Sequence, residues 1–504
     1  MSKPHLPELA TAATVGDPIA KLFAYHLRNA VGLPSQTQLS TLHPQAETIW
    51  QQCIELGQTL DIPALEGLKT ILRCYQNQVF TPNHEDQTAT LAEQPYLTQH
   101  LDLIKAPQKD DRYARELRFH TTLKGQGLIL DGEFYPQRIH DTYAVALTLR
   151  LTGKFPLTQL QSFAPLRHIQ PSLGSTYVLL AEPLDTAPDN DLPLANACAA
   201  QFLQPHQSHC RPTAQGQFFG NPLFEYTPPD PQHADRPLHL WVWLNRNPAA
   251  LGLIDQPEPY HALTNLLCAL HKSRFAFAQA TGRYQQAQAI AQALETQVNQ
   301  LSQADHSSLE QWKDWLQDAP ATAFNHARLV RDLEDHRITL EANKTNFAFR
   351  LTVLQKYGQA DDDLGFLDQW LNTVNQHQRQ IEVWQRYLAS SQPLFQQLID
   401  TIRGLVDIAA QEQAQADERR EKERERTLQA EIAAVGTGLA VSGITSQVAP
   451  RAIVAMPAEP QHSSWIYWSA LFFNAGFHIV LGLVFALVIY KAQRPTSNAR
   501  SRKR

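Results

Sequence analysis

The sequence predicts an α+β cytoplasmic domain, then a long-helix bundle or coiled-coil stalk, then a C-terminal two-helix transmembrane hairpin. Three observations carry this. Short β-prone runs bounded by turn residues recur between Gly127 and Leu244. A 3-4 apolar spacing is sustained from Leu367 to Ala409. The stretch Trp465 to Tyr490 has 26 residues and no formal charge, against the roughly 20 that cross a hydrocarbon core of ~30 Å.

At 504 residues the chain exceeds what one hydrophobic core usually serves. The reading divides it into an N-terminal helical region (1–100), a mixed α/β domain (101–250) and a helical stalk (258–430). A first membrane helix (432–448), an outer loop (449–464), a second membrane helix (465–490) and a basic tail (491–504) follow. Apolar residues at 43% and charged residues at 18% exclude a wholly disordered chain. Lys and Arg number 43 against 49 Asp and Glu, so net charge drives no binding to nucleic acid. Five scattered cysteines, an odd number, predict a reducing compartment rather than a disulfide framework. Met1 to Ala20 lacks the apolar core of a cleavable signal peptide.

In chain order, Ala46–Leu60 and Pro63–Phe80 read as helices. Gly127–Phe134, Tyr143–Leu151, Thr176–Ala181, Phe218–Tyr226 and Leu238–Leu244 read as strands, with a helix over Leu194–Leu203. Leu238–Leu244 (LHLWVWL) is flanked by Pro237 and Asn245. Long helices are expected over Tyr260–Leu301 and Phe324–Tyr357, a short one over Asp305–Asp318, and a turn at Gly358–Asp363. Ser390-Ser391-Gln392-Pro393 interrupts the Leu367–Ala409 seam, where proline removes a helical hydrogen bond, so a kink is expected, or a stop and restart capped by Ser391. Beyond it the seam gives way to charge, with Glu418 and Lys422 at i, i+4 and Glu421 and Arg424 at i, i+3.

The segment Ile432–Val448 is rich in small residues and carries Thr437, Ser442, Thr445 and Gln447. Ala434, Gly438 and Ser442 recur at the spacing that lets helix backbones approach closely in lipid. Basic residues precede this segment and follow the second span, and Arg451 alone lies in the connecting loop. The positive-inside rule then places the chain in an inner cell membrane, two-pass, with both termini cytoplasmic. Asn474 and His478 form a polar stripe in the second span with Gly482 and Ala486.

Catalytic chemistry finds little support, and a non-enzyme is expected. Gly125-Gln126-Gly127 lacks the third glycine of a dinucleotide loop. His206, His209 and Cys210, with His233 further on, are zinc-ligand types without a second pair at zinc-site spacing. Asp110 and Asp111 read as a solvated loop.

This order of parts resembles the CorA-type magnesium and divalent-cation transporter superfamily. The family's Gly-Met-Asn signature corresponds here to Gly443-Ile444-Thr445, and its Met-Pro-Glu-Leu loop to Met456-Pro457-Ala458-Glu459. The glycine, the Met-Pro pair and a nearby glutamate match, whereas the asparagine has no counterpart. The resemblance implies a homo-oligomer, a pentamer in that family, in contact with a lipid bilayer and without nucleic acid. It implies Gly438, Ser442, Thr445 and Gln447 lining a pore, Met456, Pro457 and Glu459 at its outer mouth, and Mg2+ or another divalent cation as the transported ion rather than a bound cofactor. The alternative is a membrane-anchored coiled-coil scaffold or sensor without transport activity, favoured by the missing asparagine and the Gln- and charge-rich rod.

Overall fold

A computed structural model describes residues 13–29, 42–72, 98–100, 103–104, 113–114, 116–123, 127–184, 186–203, 211–229, 237–247, 249–303 and 309–453, with a few isolated positions between 480 and 491. The strands are β1 (Thr14–Leu27), β2 (Thr98–His100), β3 (Leu103–Ile104), β4 (Tyr113–Ala114), β5 (Leu117–Thr122) and β6 (Ile129–Ile139). They continue as β7 (Thr142–Arg150), β8 (Lys154–Pro156), β9 (Gly174–Pro183), β10 (Ala214–Phe218), β11 (Asn221–Tyr226) and β12 (His239–Leu244). The helices are α1 (Thr48–Leu60), α2 (Pro63–Glu66), α3 (Leu68–Ile71), α4 (Asp191–Leu203) and α5 (Ala249–Ile254). The long ones are α6 (Pro257–Gln303), α7 (Leu309–Tyr357), α8 (Gly365–Ala389) and α9 (Ser391–Ile453). The chain divides into two units: 1–303 with 320–395, and 304–319 with 396–504.

The first unit is built on a ten-stranded mixed sheet of order β10-β11-β12-β9-β1-β7-β6-β2, with β5 on β6 and β8 on β1. Its central strand is β1, in a region the sequence reading assigned to helices. The strand is missed by alternation rules because it is buried along nearly its whole length on both faces, so its sequence (TVGDPIAKLFAYHL) shows no polar face. It pairs antiparallel with both β7 and β9. Strand β12 runs parallel to β9, a direction that requires a crossover, and the chain between them contains α4.

Alternation of side chains gives the sheet two covered faces. On the first, Leu22, Val145, Leu147, Leu179, Leu240 and Val242 meet Trp50 and Ile54 of α1 and Leu194, Cys198 and Phe202 of α4. On the second, Phe23, Tyr25, Val178, Trp241 and Trp243 meet Leu263, Leu266 and Leu270 of α6, Leu351 of α7 and Phe366 of α8. Farther along, α6, α7 and α8 pack on one another through Ala280, Ala287, Leu333, Leu340, Val374 and Ile381. Along the apolar seam read from the sequence, Leu367, Val374, Ile381, Leu388, Phe395, Leu398 and Ile402 are buried, whereas Trp370, His377, Trp384, Leu405 and Ala409 are only partly so. Its break falls at Ser390, between α8 and α9.

In the second unit, α9 continues without interruption to Ile453. Its charged stretch carries the i, i+4 pair Lys422–Glu418 at 2.6 Å, and Leu428 and Ile432 are exposed. Here the fold class requires correction. Among the described residues no helix is long and apolar enough to cross a membrane. Ile432–Val448 is the C-terminal part of a mostly polar helix, and its 17 residues, interrupted by Thr437, Ser442, Thr445 and Gln447, fall short of the roughly 20 apolar residues a span needs. The transmembrane hairpin, and with it the two-pass inner-membrane placement with both termini cytoplasmic, is therefore not upheld. The expected second span, 465–490, lies outside the described residues apart from isolated helical positions. The expected outer loop begins as helix through Ile453 and then also passes outside them.

Candidate functional site

The second face of the sheet carries a buried polar network. Thr176 on β9 and His239 on β12 are lateral neighbours in the parallel pair, and both point to the face covered by α6. Glu225 on β11 lies on the same face, one strand further out. Helix α6 adds His271 and Arg274, one turn apart and so on one side of the helix.

The geometry forms a chain. Glu225 Oε1 lies 2.7 Å from His239 Nε2, His239 Nδ1 lies 2.7 Å from Thr176 Oγ1, and Thr176 Oγ1 lies 2.8 Å from His271 Nε2. Thr176 and His239 are completely buried and His271 nearly so. Burial lowers the pKa of His239 below its ordinary value, helped by the charge of Arg274 and opposed by Glu225. Burial also holds His271 well below its ordinary value, reinforced by Arg274 and His239. Burial raises Glu225, but the His239 hydrogen bond and the charge of Arg274 outweigh it, so the carboxyl stays below its usual range. Both imidazoles are thus neutral at pH 7 and the carboxylate is ionised.

At the outer end of this chain is a cavity of about 160 Å³, lined by Arg167, Gln170, Gly174, Ser175, His271 and Arg274 among others. Gly174 is what leaves His271 room. Its φ is +131°, and a Cβ there would stand 2.5 Å from His271 Nδ1. The described lining holds two arginines and no carboxylate. The Arg167 guanidinium is braced by the carbonyls of Leu203 at 2.8 Å and Ala164 at 3.4 Å. Arg274 feels the charge of Glu225, a carboxylate already hydrogen-bonded to His239. Two fixed cations beside a neutral imidazole, in a part-buried cleft, suit a small anion. The Thr-His-Glu order resembles a nucleophile relay, but the Thr176 hydroxyl is 0% exposed and no substrate could reach it.

A second polar cluster is structural. The Asp362 carboxylate accepts the backbone N–H groups of Phe219 at 2.8 Å and Gly220 at 2.6 Å. These residues form the two-residue β10–β11 hairpin turn, both at positive φ. Asp362 therefore pins the hairpin to the α7–α8 connection.

Gly438, Ser442, Thr445 and Gln447 share helix α9 at i, i+4, i+7 and i+9. Met456, Pro457, Glu459, Asn474 and His478 lie outside the described residues, as do Asp110, Asp111, His206, His209, Cys210 and His233. Among the described residues no group of three or more His, Cys, Asp or Glu side chains could hold a metal ion. Thr176, Glu225, His239, His271 and Arg274 were missed because they share no local motif. They come from three strands and a helix, and only the sheet register brings them together. The one available hint was a histidine opening the otherwise apolar strand LHLWVWL. Family models, curated proteins and solved structures were compared with the chain, and none matches.

Proposed function

We propose that the chain is a non-enzymatic scaffold or sensor whose α/β unit recognises a small ligand and whose helices transmit its presence to an assembly of copies. The observation that carries this reading is the cavity whose described lining holds Arg167, Arg274 and His271 and no carboxylate. Helix α6 supplies His271 and Arg274 to the cavity, and immediately afterwards Ala276, Ala280 and Ala287 to the core it shares with α7 and α8. A ligand that grips α6 at one end therefore biases the packing of the bundle, in proportion to its differential affinity for two arrangements. Assembly is supported by large apolar side chains left exposed on the single chain. Phe324, Ile338 and Phe349 on α7, and Ile408, Leu428 and Ile432 on α9, are each more than half exposed, as surfaces awaiting partners are.

The test is made on the purified full chain. Its mass in solution should exceed that of a monomer, and a small anion should slow amide hydrogen exchange in α6, α7 and α8. A monomeric mass, with exchange in these helices unmoved by phosphate, sulfate, bicarbonate or citrate, would remove the reading.

A further inference from the structure

We propose that the cavity beside His271 and Arg274 is a site for a small oxyanion that keeps a proton at neutral pH, hydrogen phosphate or bicarbonate, and that it discriminates against sulfate because the Glu225–His239–Thr176–His271 chain leaves His271 presenting a hydrogen-bond acceptor. This rests on the sensor reading and names the ligand class for the same cavity.

Counting protons along the chain fixes each donor and acceptor. An ionised carboxylate only accepts, so Glu225 fixes the proton of His239 on Nε2, at 2.7 Å. A neutral imidazole has one N–H, which leaves His239 Nδ1 bare. Facing it at 2.7 Å is Thr176 Oγ1, whose single proton must therefore point to His239. The Thr176 oxygen then has only lone pairs to offer His271 Nε2, 2.8 Å away, so that nitrogen carries the proton of His271. The remaining nitrogen, His271 Nδ1, is bare, lies against Gly174 and borders the cavity. Every assignment follows from the one before, and the burial of Thr176 and His239 keeps water from reversing the order.

A ligand in the cavity thus meets cations and an acceptor together. The guanidiniums of Arg274 and Arg167 call for negative oxygens, while His271 Nδ1 calls for a donor. Hydrogen phosphate and bicarbonate carry both. Sulfate has nearly the shape of phosphate and is fully deprotonated at neutral pH, so one of its oxygens would face the Nδ1 lone pair. Protonating His271 would relieve that clash, but burial and the neighbouring charge of Arg274 resist it. At about 160 Å³ the cavity is below the ~300–1,000 Å³ of pockets for drug-sized ligands, which matches an ion of a few heavy atoms.

The test is calorimetric titration of the full chain with phosphate, bicarbonate and sulfate at neutral pH and constant ionic strength, repeated in buffers of different ionisation enthalpy. Phosphate or bicarbonate should bind about tenfold or more tightly than sulfate, a difference of about 1.4 kcal/mol, and without proton uptake. Sulfate should bind only with uptake of a proton. Arg274→Gln should abolish binding of all three. Thr176→Val, which breaks the chain and frees the His271 tautomer, should bring sulfate to within about twofold of phosphate, with the unfolding transition confirming a folded protein. Should that variant not fold, proton uptake in the wild type still decides. Equal binding of sulfate and phosphate by the wild type, neither with proton uptake, overturns the inference and leaves an anion-sensing domain standing. Full discrimination in a folded Thr176→Val also overturns it. No binding of any of the three by the folded wild type overturns both the inference and the small-anion form of the sensor reading.

Discussion

The two faces of the central sheet bury side chains of different chemistry. The first face, under α1 and α4, is lined mainly by aliphatic and aromatic groups, from Leu22 and Val145 to Trp50 and Phe202, with His26 buried at the end of β1 and bonded to the Gln45 carbonyl. The second, under α6, mixes such groups with Lys21, Tyr25, Thr176, His239 and His271, all buried. There, Lys21 pairs with Asp255 at 2.7 Å, and the Tyr25 hydroxyl donates to the Thr264 carbonyl at 2.7 Å. Burying polar groups costs free energy unless each finds a partner, so the second face gains little stability from them. What it gains is orientation, because a satisfied network fixes which atoms donate and which accept. The dry face holds the sheet together, and the polar face gives the cavity its chemistry.

That division can be broken experimentally, beginning on the dry face. Trp50 is completely buried, packs edge-on to Tyr143 at 5.1 Å and has an indole N–H without a partner. Its loss is therefore a loss of packing. Trp50→Ala should cost about 3–5 kcal/mol in urea unfolding while leaving anion affinity unchanged in the protein that remains folded.

The polar face should reveal itself in the pH dependence. His239 and His271 have folded pKa values below the ordinary 6.5, so between those values the unfolded chain binds protons that the folded chain refuses. Their contribution is complete above about pH 6.5 and is lost as the pH falls toward the folded values, by up to about 1.4 kcal/mol per pH unit for each imidazole. His326, His336 and His377 are shifted in the same direction, so the measured quantity is the difference between variant and wild type. His271→Gln should flatten the stability profile below pH 6.5, whereas Trp50→Ala should shift the whole profile down with its slope intact. An unchanged slope in His271→Gln would show that this imidazole titrates alike in both states.

The smallest effect sharpens the comparison. Tyr25→Phe removes a buried hydroxyl but leaves the Thr264 carbonyl on α6 within its helix, so the loss should be about 1 kcal/mol, with anion affinity retained.

Legibility in the sequence followed the range of the forces involved. The strand at Leu238–Leu244, the helix within Leu194–Leu203 and the long helices from Tyr260 onward declared themselves through spacing and flanking residues. Strand β1 did not, because a strand covered on both faces has no alternation to show. The segment Ile432–Val448 misled for a related reason: small and apolar residues in a run resemble a span, and its scattered hydroxyls and Gln447 weigh against one only by their number.

The long helices, the Leu367–Ala409 seam and its interruption at Ser390–Pro393 were legible because they depend on neighbours within a turn or two along the chain. Not every boundary was: the two helices read over Asp305–Asp318 and Phe324–Tyr357 are, from Leu309, one helix, α7, which passes through Pro320. The meeting of Thr176, Glu225, His239, His271 and Arg274, by contrast, comes from the folded chain alone. Their encounter depends on β9 and β12 lying side by side in parallel and on α6 crossing over them, and strand partnership is a choice among distant segments that no local pattern encodes.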